Sequence, residues 1–268
     1  MKKLVIQVLI LLSLLIAFVG YQWYQYQNYQ LKFRLPWIPL AVYLILLLLF
    51  WWVLNRSVSA KIKMGLKIIF IAIAAFLIYQ GFHEQQKLIY SRSPQEDELL
   101  LLRLEGQRLE YYVPHQGFWM YERDPLNKEV TEVGEITWLN DYVPVVSYTT
   151  KDGQLWTFTK STGPSNAVGF EQLSRGAWRN ENVEVSNQNG EWEIIENDQH
   201  HSIDAAINRG TLAMVLVDNQ KDQRYVVTLN DGFKDANGAL GNPEETELLL
   251  AKPSLKGAAI EKLKFAGE

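Results

Sequence analysis

Two apolar runs, residues 37–54 and 64–80, are joined by a short basic turn over 55–63. Each run is close to the length of about 20 residues at which a helix crosses the hydrocarbon core of a bilayer. The first carries no Asp, Glu, Lys, Arg or His, and Trp51 and Trp52 close it. Pro36 and Pro39 fall at its start, where a helix tolerates proline best. Arg56, Lys61 and Lys63 fill the turn. Lys67 lies near the start of the second run, within reach of a headgroup layer if its stem snorkels.

A third run precedes these, over residues 4–20, after Lys2 and Lys3. A basic start before an apolar stretch also describes a signal peptide. The run is long for a signal core and ends in Gly20-Tyr21-Gln22, without a small-x-small pattern. It is read as an uncleaved helix. The following YQWYQYQNY (residues 21–29) suits an interfacial aromatic belt, since Trp and Tyr settle at headgroup level. A sugar-stacking platform is the other reading of that stretch.

Mean hydropathy is only −0.11, because the average hides two halves. Residues 1–90 hold nine Lys/Arg and one acid, Glu84. Residues 91–268 hold 17 Lys/Arg and 29 Asp/Glu. A basic apolar part is therefore followed by an acidic polar one, and an acidic domain without clustered cations is a poor nucleic-acid binder. There is no cysteine, which excludes disulfides, thiol catalysis and Cys-ligated zinc. Positive charge in short loops predicts a cytoplasmic N-terminus, three spans in the plasma membrane and an extracytoplasmic C-terminal domain. No span carries an acid or histidine at mid-depth, so transport and channel activity are not expected.

Residues 91–98 read as a solvated tether, dividing a membrane domain (1–90) from a polar domain (99–268). In the polar part the period is that of strands. Residues 99–104 and 108–113 are short apolar or alternating runs. Residues 142–150 and 154–160 flank Lys151-Asp152-Gly153, a hairpin signal. Residues 183–186 and 191–196 flank Asn187-Gln188-Asn189-Gly190, and 211–217 pairs in the same way with 224–230. A further strand is expected over 246–251. Helices are expected over 165–178 and, behind an N-cap at Ser202, over 202–208; residues 254–265 suit helix or strand. The fold class is thus a three-helix multi-pass membrane segment plus a mainly β, or α+β, antiparallel domain.

Candidate chemistry is sparse. Asp235, Asn237, Gly238 and Glu244 match positions of a twelve-residue calcium loop, with Leu240 at its apolar position, a partial resemblance to EF-hand loops. Phe233 stands where the first acid belongs, and the stretch is read as a polar loop, with Asp235, Asn237 and Glu244 as calcium candidates. Adjacent His200 and His201 point in different directions on a regular element, and with His83 and His115 they make no zinc pattern. Glu171, Asp198, Asp218, Asp222 and Asp231 supply carboxylates for a glycosidase-like pair, but nothing in the sequence singles out two. Trp119, Trp138, Trp156, Trp178 and Trp192 suit a ligand groove or, as is commoner, a β core. No nucleophile elbow, S-x-x-K, H-E-x-x-H or phosphate-cradling loop occurs. The reading is a non-enzymatic, membrane-anchored accessory protein without cofactor, whose partners are the bilayer and a protein or envelope component. The alternatives are a subunit that pairs through its membrane helices with the soluble domain as sensor, and an envelope hydrolase.

Overall fold

The computed structural model describes residues 2–29, 31–33, 35, 37–56, 60–86, 88–95, 98–114, 119–161, 170, 174–208, 212–219, 223–230 and 243–267. The chain divides into two compact units. One is Met1–Tyr90 with Leu101–Leu126; the other is Ser91–Leu100 with Asn127–Glu268.

The first unit is built on three helices, α1 (Lys2–Tyr29), α2 (Trp37–Asn55) and α3 (Ala60–Gln86). All three are long and apolar enough to cross a membrane. α1 continues through the aromatic and amide stretch, which contains no Pro or Gly to stop it. Aromatic contacts join the helices. Phe18 meets Tyr43 edge-on at 5.5 Å, and Phe50 stacks on Phe70 at 6.1 Å. Trp37 meets Phe82 at 4.9 Å. Beside that pair, a Cβ on Gly81 would come within 2.6 Å of Leu40, so the glycine sets how closely α2 and α3 approach.

Strands complete this unit. β1 (Leu31–Phe33) pairs antiparallel with the start of β5 (Trp119–Asn140), Leu31 opposite Tyr121. β2 (Leu88–Arg92) follows α3, and its last residues, Ser91 and Arg92, are strand where a tether is expected from the sequence. β3 (Leu99–Glu105) and β4 (Arg108–Pro114) form a hairpin with Leu104 opposite Leu109. Period two divides this hairpin. Leu102, Leu104, Leu109 and Tyr111 share one face; Arg103, Glu105, Glu110 and Tyr112 share the other.

The regular structure described in the second unit is mainly strand, with a short 3-10 turn at Pro243–Glu245 and a helical residue at Phe170, whose carbonyl accepts from the Ser174 N–H at 2.9 Å. The end of β5 pairs with β6 (Val143–Thr150), which pairs with β7 (Leu155–Thr159). A nine-stranded antiparallel sheet follows. Its strands are β8 (Gly176–Arg179), β9 (Val183–Gln188), β10 (Glu191–Glu196), β11 (Gln199–Ser202) and β12 (Ala205–Asn208). Then come β13 (Ala213–Asp218), β14 (Gln223–Leu229), β15 (Glu247–Lys252) and β16 (Ala259–Gly267). The spatial order is β11-β10-β9-β8-β16-β15-β14-β13-β12.

The outermost strands of that order, β11 and β12, are consecutive in the chain, with Ile203 and Asp204 between them. Three Cα steps reach at most roughly 11 Å, so the sheet curls until its two edges come together. Its inner face bears this out. Val185, Ile194, Leu216, Val227, Leu250 and Leu263 come from six strands and lie in one buried cluster, with Trp178 of β8 wholly enclosed. The outer face of β13 to β15 (Val215, Val226, Leu249) packs on Leu139, Val143 and Val145. Gly134 of β5 permits another close approach: a Cβ there would lie 2.7 Å from the backbone of Leu255.

The strand pairs expected within 142–160, 183–196 and 211–230 are present, residues 211 and 220–222 lying outside the described residues. The helix expected over 202–208 is not. Ser202 ends β11 and Ala205–Asn208 is β12, paired with β13. Ladder pairing and burial of Ile203 and Ile207 against the two cores outweigh the helix propensity of two alanines. Of the helix expected over 165–178, Phe170 is helical and its carbonyl accepts from the Ser174 N–H, residues 165–169 and 171–173 lie outside the described residues, and Gly176–Trp178 belong to β8. The ambiguous tail is strand β16.

Candidate functional site

Three places gather polar side chains. The first is in the helical unit, where the end of α1, the start of α2 and the end of α3 meet β1, β2, β3 and β5. A cavity of about 420 Å³ opens there. Val19, Trp23, Phe33, Pro39, Leu88 and Met120 form its apolar wall; Gln22, Lys32, Glu84 and Arg103 form its polar part. The polar face of the β3–β4 hairpin supplies an ionic network. Arg103 Nη2 donates to Glu84 and, at 2.9 Å, to Glu105. Lys32 Nζ donates to the Tyr112 hydroxyl at 2.8 Å and lies 3.6 Å from Glu110. Tyr112 in turn donates to Glu110 at 2.5 Å. Two buried donors at this cavity have no hydrogen-bond partner among the described residues, Arg103 Nε and Gln22 Nε2. The Gln22 carbonyl oxygen is used, accepting from Tyr43.

The second place is the seam where the curled sheet meets itself. His201 of β11 is buried, although it sits on an edge strand. Its Nδ1 lies 2.9 Å from the Tyr225 hydroxyl and 3.5 Å from Asp218, both also buried. Lys252 bridges Glu196 at 2.5 Å and Glu261 at 3.4 Å. Side chains therefore join β10 and β11 to β13, β14 and β15 around the seam. Burial, and then the negative charges of Glu196 and Asp218, push the Tyr225 phenol above the ordinary tyrosine range.

That shift has a sign. The unfolded chain releases the Tyr225 proton near pH 10, whereas the folded chain holds it. Its contribution is complete below about pH 10 and is lost as pH rises above that, because the unfolded state then binds fewer protons. Tyr225→Phe is expected to cost roughly 1 kcal/mol at neutral pH through the lost hydrogen bond, and to flatten the alkaline fall in stability. Urea midpoints of both proteins across the alkaline range check this; parallel curves would refute it.

The third place is an open cleft of about 810 Å³ on the second unit. Arg179, Lys264 and Glu247 line it and occupy one rung across β8, β16 and β15. Glu244 and Glu245 add acids, and Thr246 contributes a buried hydroxyl with no hydrogen-bond partner among the described residues. Two cations directly opposite one another in a sheet repel, so the rung suits a ligand that brings acidic as well as basic groups.

Of the calcium candidates, Glu244 is exposed on the 3-10 turn, while Asp235 and Asn237 lie outside the described residues. Among the described residues no group of three or more His, Asp or Glu is placed to hold a metal. His200 is exposed and pairs with Glu193 at 2.8 Å; His83 stacks on Tyr79; His115 lies outside the described residues. Asp198 sits in the β10–β11 turn at φ 62°. Asp218 is in the seam, and Glu171, Asp222 and Asp231 lie outside the described residues. Trp178 and Trp192 fill the core. Trp138 donates to Ser91, and Trp156 lies under the Arg224 guanidinium at 3.9 Å. The Trp119 side chain is outside the described set. The sequence reading missed the Arg103, Glu105, Glu110 and Tyr112 face. Its trace was there as charged residues two apart on each arm of the hairpin. Comparison of the chain with protein-family models, with curated protein sequences and with solved structures gives no match.

Proposed function

We propose that this chain is a non-enzymatic, membrane-anchored accessory protein. α1, α2 and α3 span the plasma membrane from a cytoplasmic N-terminus. The acidic β-rich unit lies outside and engages a polypeptide or envelope component. The observation that carries this reading is the second unit's combination of a solid interior and an open, mixed-charge cleft. Trp178, Ile194, Leu216 and Leu248 leave the curled sheet filled with side chains, so binding falls to its surface. The cleft's cations on Arg179 and Lys264, beside the acids of 244, 245 and 247, match a partner carrying both signs of charge.

Two measurements test this. A protease added to intact cells is expected to remove an epitope placed after Glu268 while leaving a cytoplasmic control intact. Protection until lysis would reverse the orientation. A photocrosslinker placed at Ala266, in the cleft, is expected to give a discrete adduct that is absent from a Glu193 position. That adduct should disappear with Arg179→Glu and Lys264→Glu. Identical crosslinking from both positions, or an adduct indifferent to charge reversal, would remove the cleft from the proposal.

A further inference from the structure

We infer that the cavity of the helical unit is a headgroup site for a zwitterionic phospholipid with a primary ammonium, of the phosphatidylethanolamine class. This rests on the reading that the three helices cross a bilayer. The end of α1, the start of α2 and the end of α3 converge on the cavity. In an up-down-up arrangement these are the ends on one membrane face, so the cavity lies at headgroup depth.

Its chemistry is that of a lipid and not of a soluble solute. One wall is apolar, with Val19 and Trp23 on α1 and Pro39 on α2, along which acyl chains continue. The polar part holds two donors in excess. Arg103 Nε and Gln22 Nε2 are buried without acceptors among the described residues, a costly state that an incoming phosphate oxygen relieves. A bare anion does not satisfy the whole site. Among the described residues, the ion pairs that Lys32 and Arg103 make are with three carboxylates, Glu84, Glu105 and Glu110, so a purely anionic headgroup meets acids as well as the two cations. A headgroup with an ammonium a few bonds from its phosphate answers both needs. The phosphate takes the orphan donors, and the ammonium donates to the Glu84 and Glu105 side. A quaternary ammonium has no hydrogen to donate there, which separates ethanolamine from choline headgroups.

The test uses the full chain in nanodiscs with equal phosphatidylethanolamine, phosphatidylcholine and phosphatidylglycerol, with retained lipid read by native mass spectrometry after transfer to detergent. Selective retention of phosphatidylethanolamine is expected. Gln22→Leu removes one donor from a helix surface, and Arg103→Lys keeps the charge but removes Nε. Each is expected to lower retention about ten-fold, the effect of one hydrogen bond to a charged group. Equal retention of the three lipids, preference for either of the other two, or retention unchanged in both variants would overturn the inference. Release of the parent chain from membranes by alkaline carbonate would instead overturn the spanning reading.

Discussion

Trp178→Ala is expected to be the most destabilising single change in the β-rich unit. The indole is wholly buried in the wrapped core, meets Phe265 at 5.2 Å, and donates through Nε1 to the Ser174 carbonyl at 3.1 Å. Removing it opens a cavity that cannot collapse, because its neighbours hang from strands held by ladders on both sides. Such truncations cost about 3–5 kcal/mol, against a total stability of about 5–15 kcal/mol for a domain. The thermal midpoint should fall by roughly 10 °C, measured by circular dichroism on the full chain in detergent. A loss under about 1 kcal/mol would mean that the tryptophan is not a core residue.

Leu48→Asp carries the second large effect and tests a different link. Leu48 lies near the middle of α2 and is 66% exposed, so no packed neighbour is lost. If α2 sits in lipid, an aspartate at mid-helix costs about 2.5–3.5 kcal/mol of insertion free energy, close to a hundred-fold shift in the inserted fraction. If α2 faces water, the same change is neutral or improves solubility. The expected result is loss of the protein from the carbonate-resistant membrane fraction, with Leu48→Ala retained. Equal retention of both variants would refute membrane crossing by α2.

Much of the fold is legible in the order of residues alone. Apolar runs of this length have few uses other than burial in lipid. Hairpins such as β9–β10 announce themselves, because Asn-Gly turns and period-two alternation are local signals. What stays hidden depends on distant partners. β5 is 22 residues long, yet its middle carries Asp124, Pro125, Asn127 and Lys128, and no element is expected there from the sequence; β6 and β1 pair with its two ends. His201 shows the same limit. Beside His200 it reads as part of a polar loop, and only curling of the sheet brings it against Tyr225 and Asp218. The cavity of the helical unit needs residues from α1, α3 and β3 at once, so Gln22 carries no local mark, and the alternation that puts Arg103 on a polar face does not show what it meets.

The interleaving of the two units bears on how the chain is made. Residues leave the ribosome in order, yet those from 91 to 100 belong to the second unit while those from 101 to 126 return to the first. The helices can therefore be delivered to a membrane well before β3, β4 and the start of β5 exist to complete their unit. During that interval the apolar residues that α1 and α2 give to the cavity, and the Gln22 amide, lack the cover of those strands. Neither unit is a module that can be cut out at a single bond. A fragment ending at residue 90 is an unfinished structure, and a loss of function in such a fragment would report incomplete folding before it reported a missing domain.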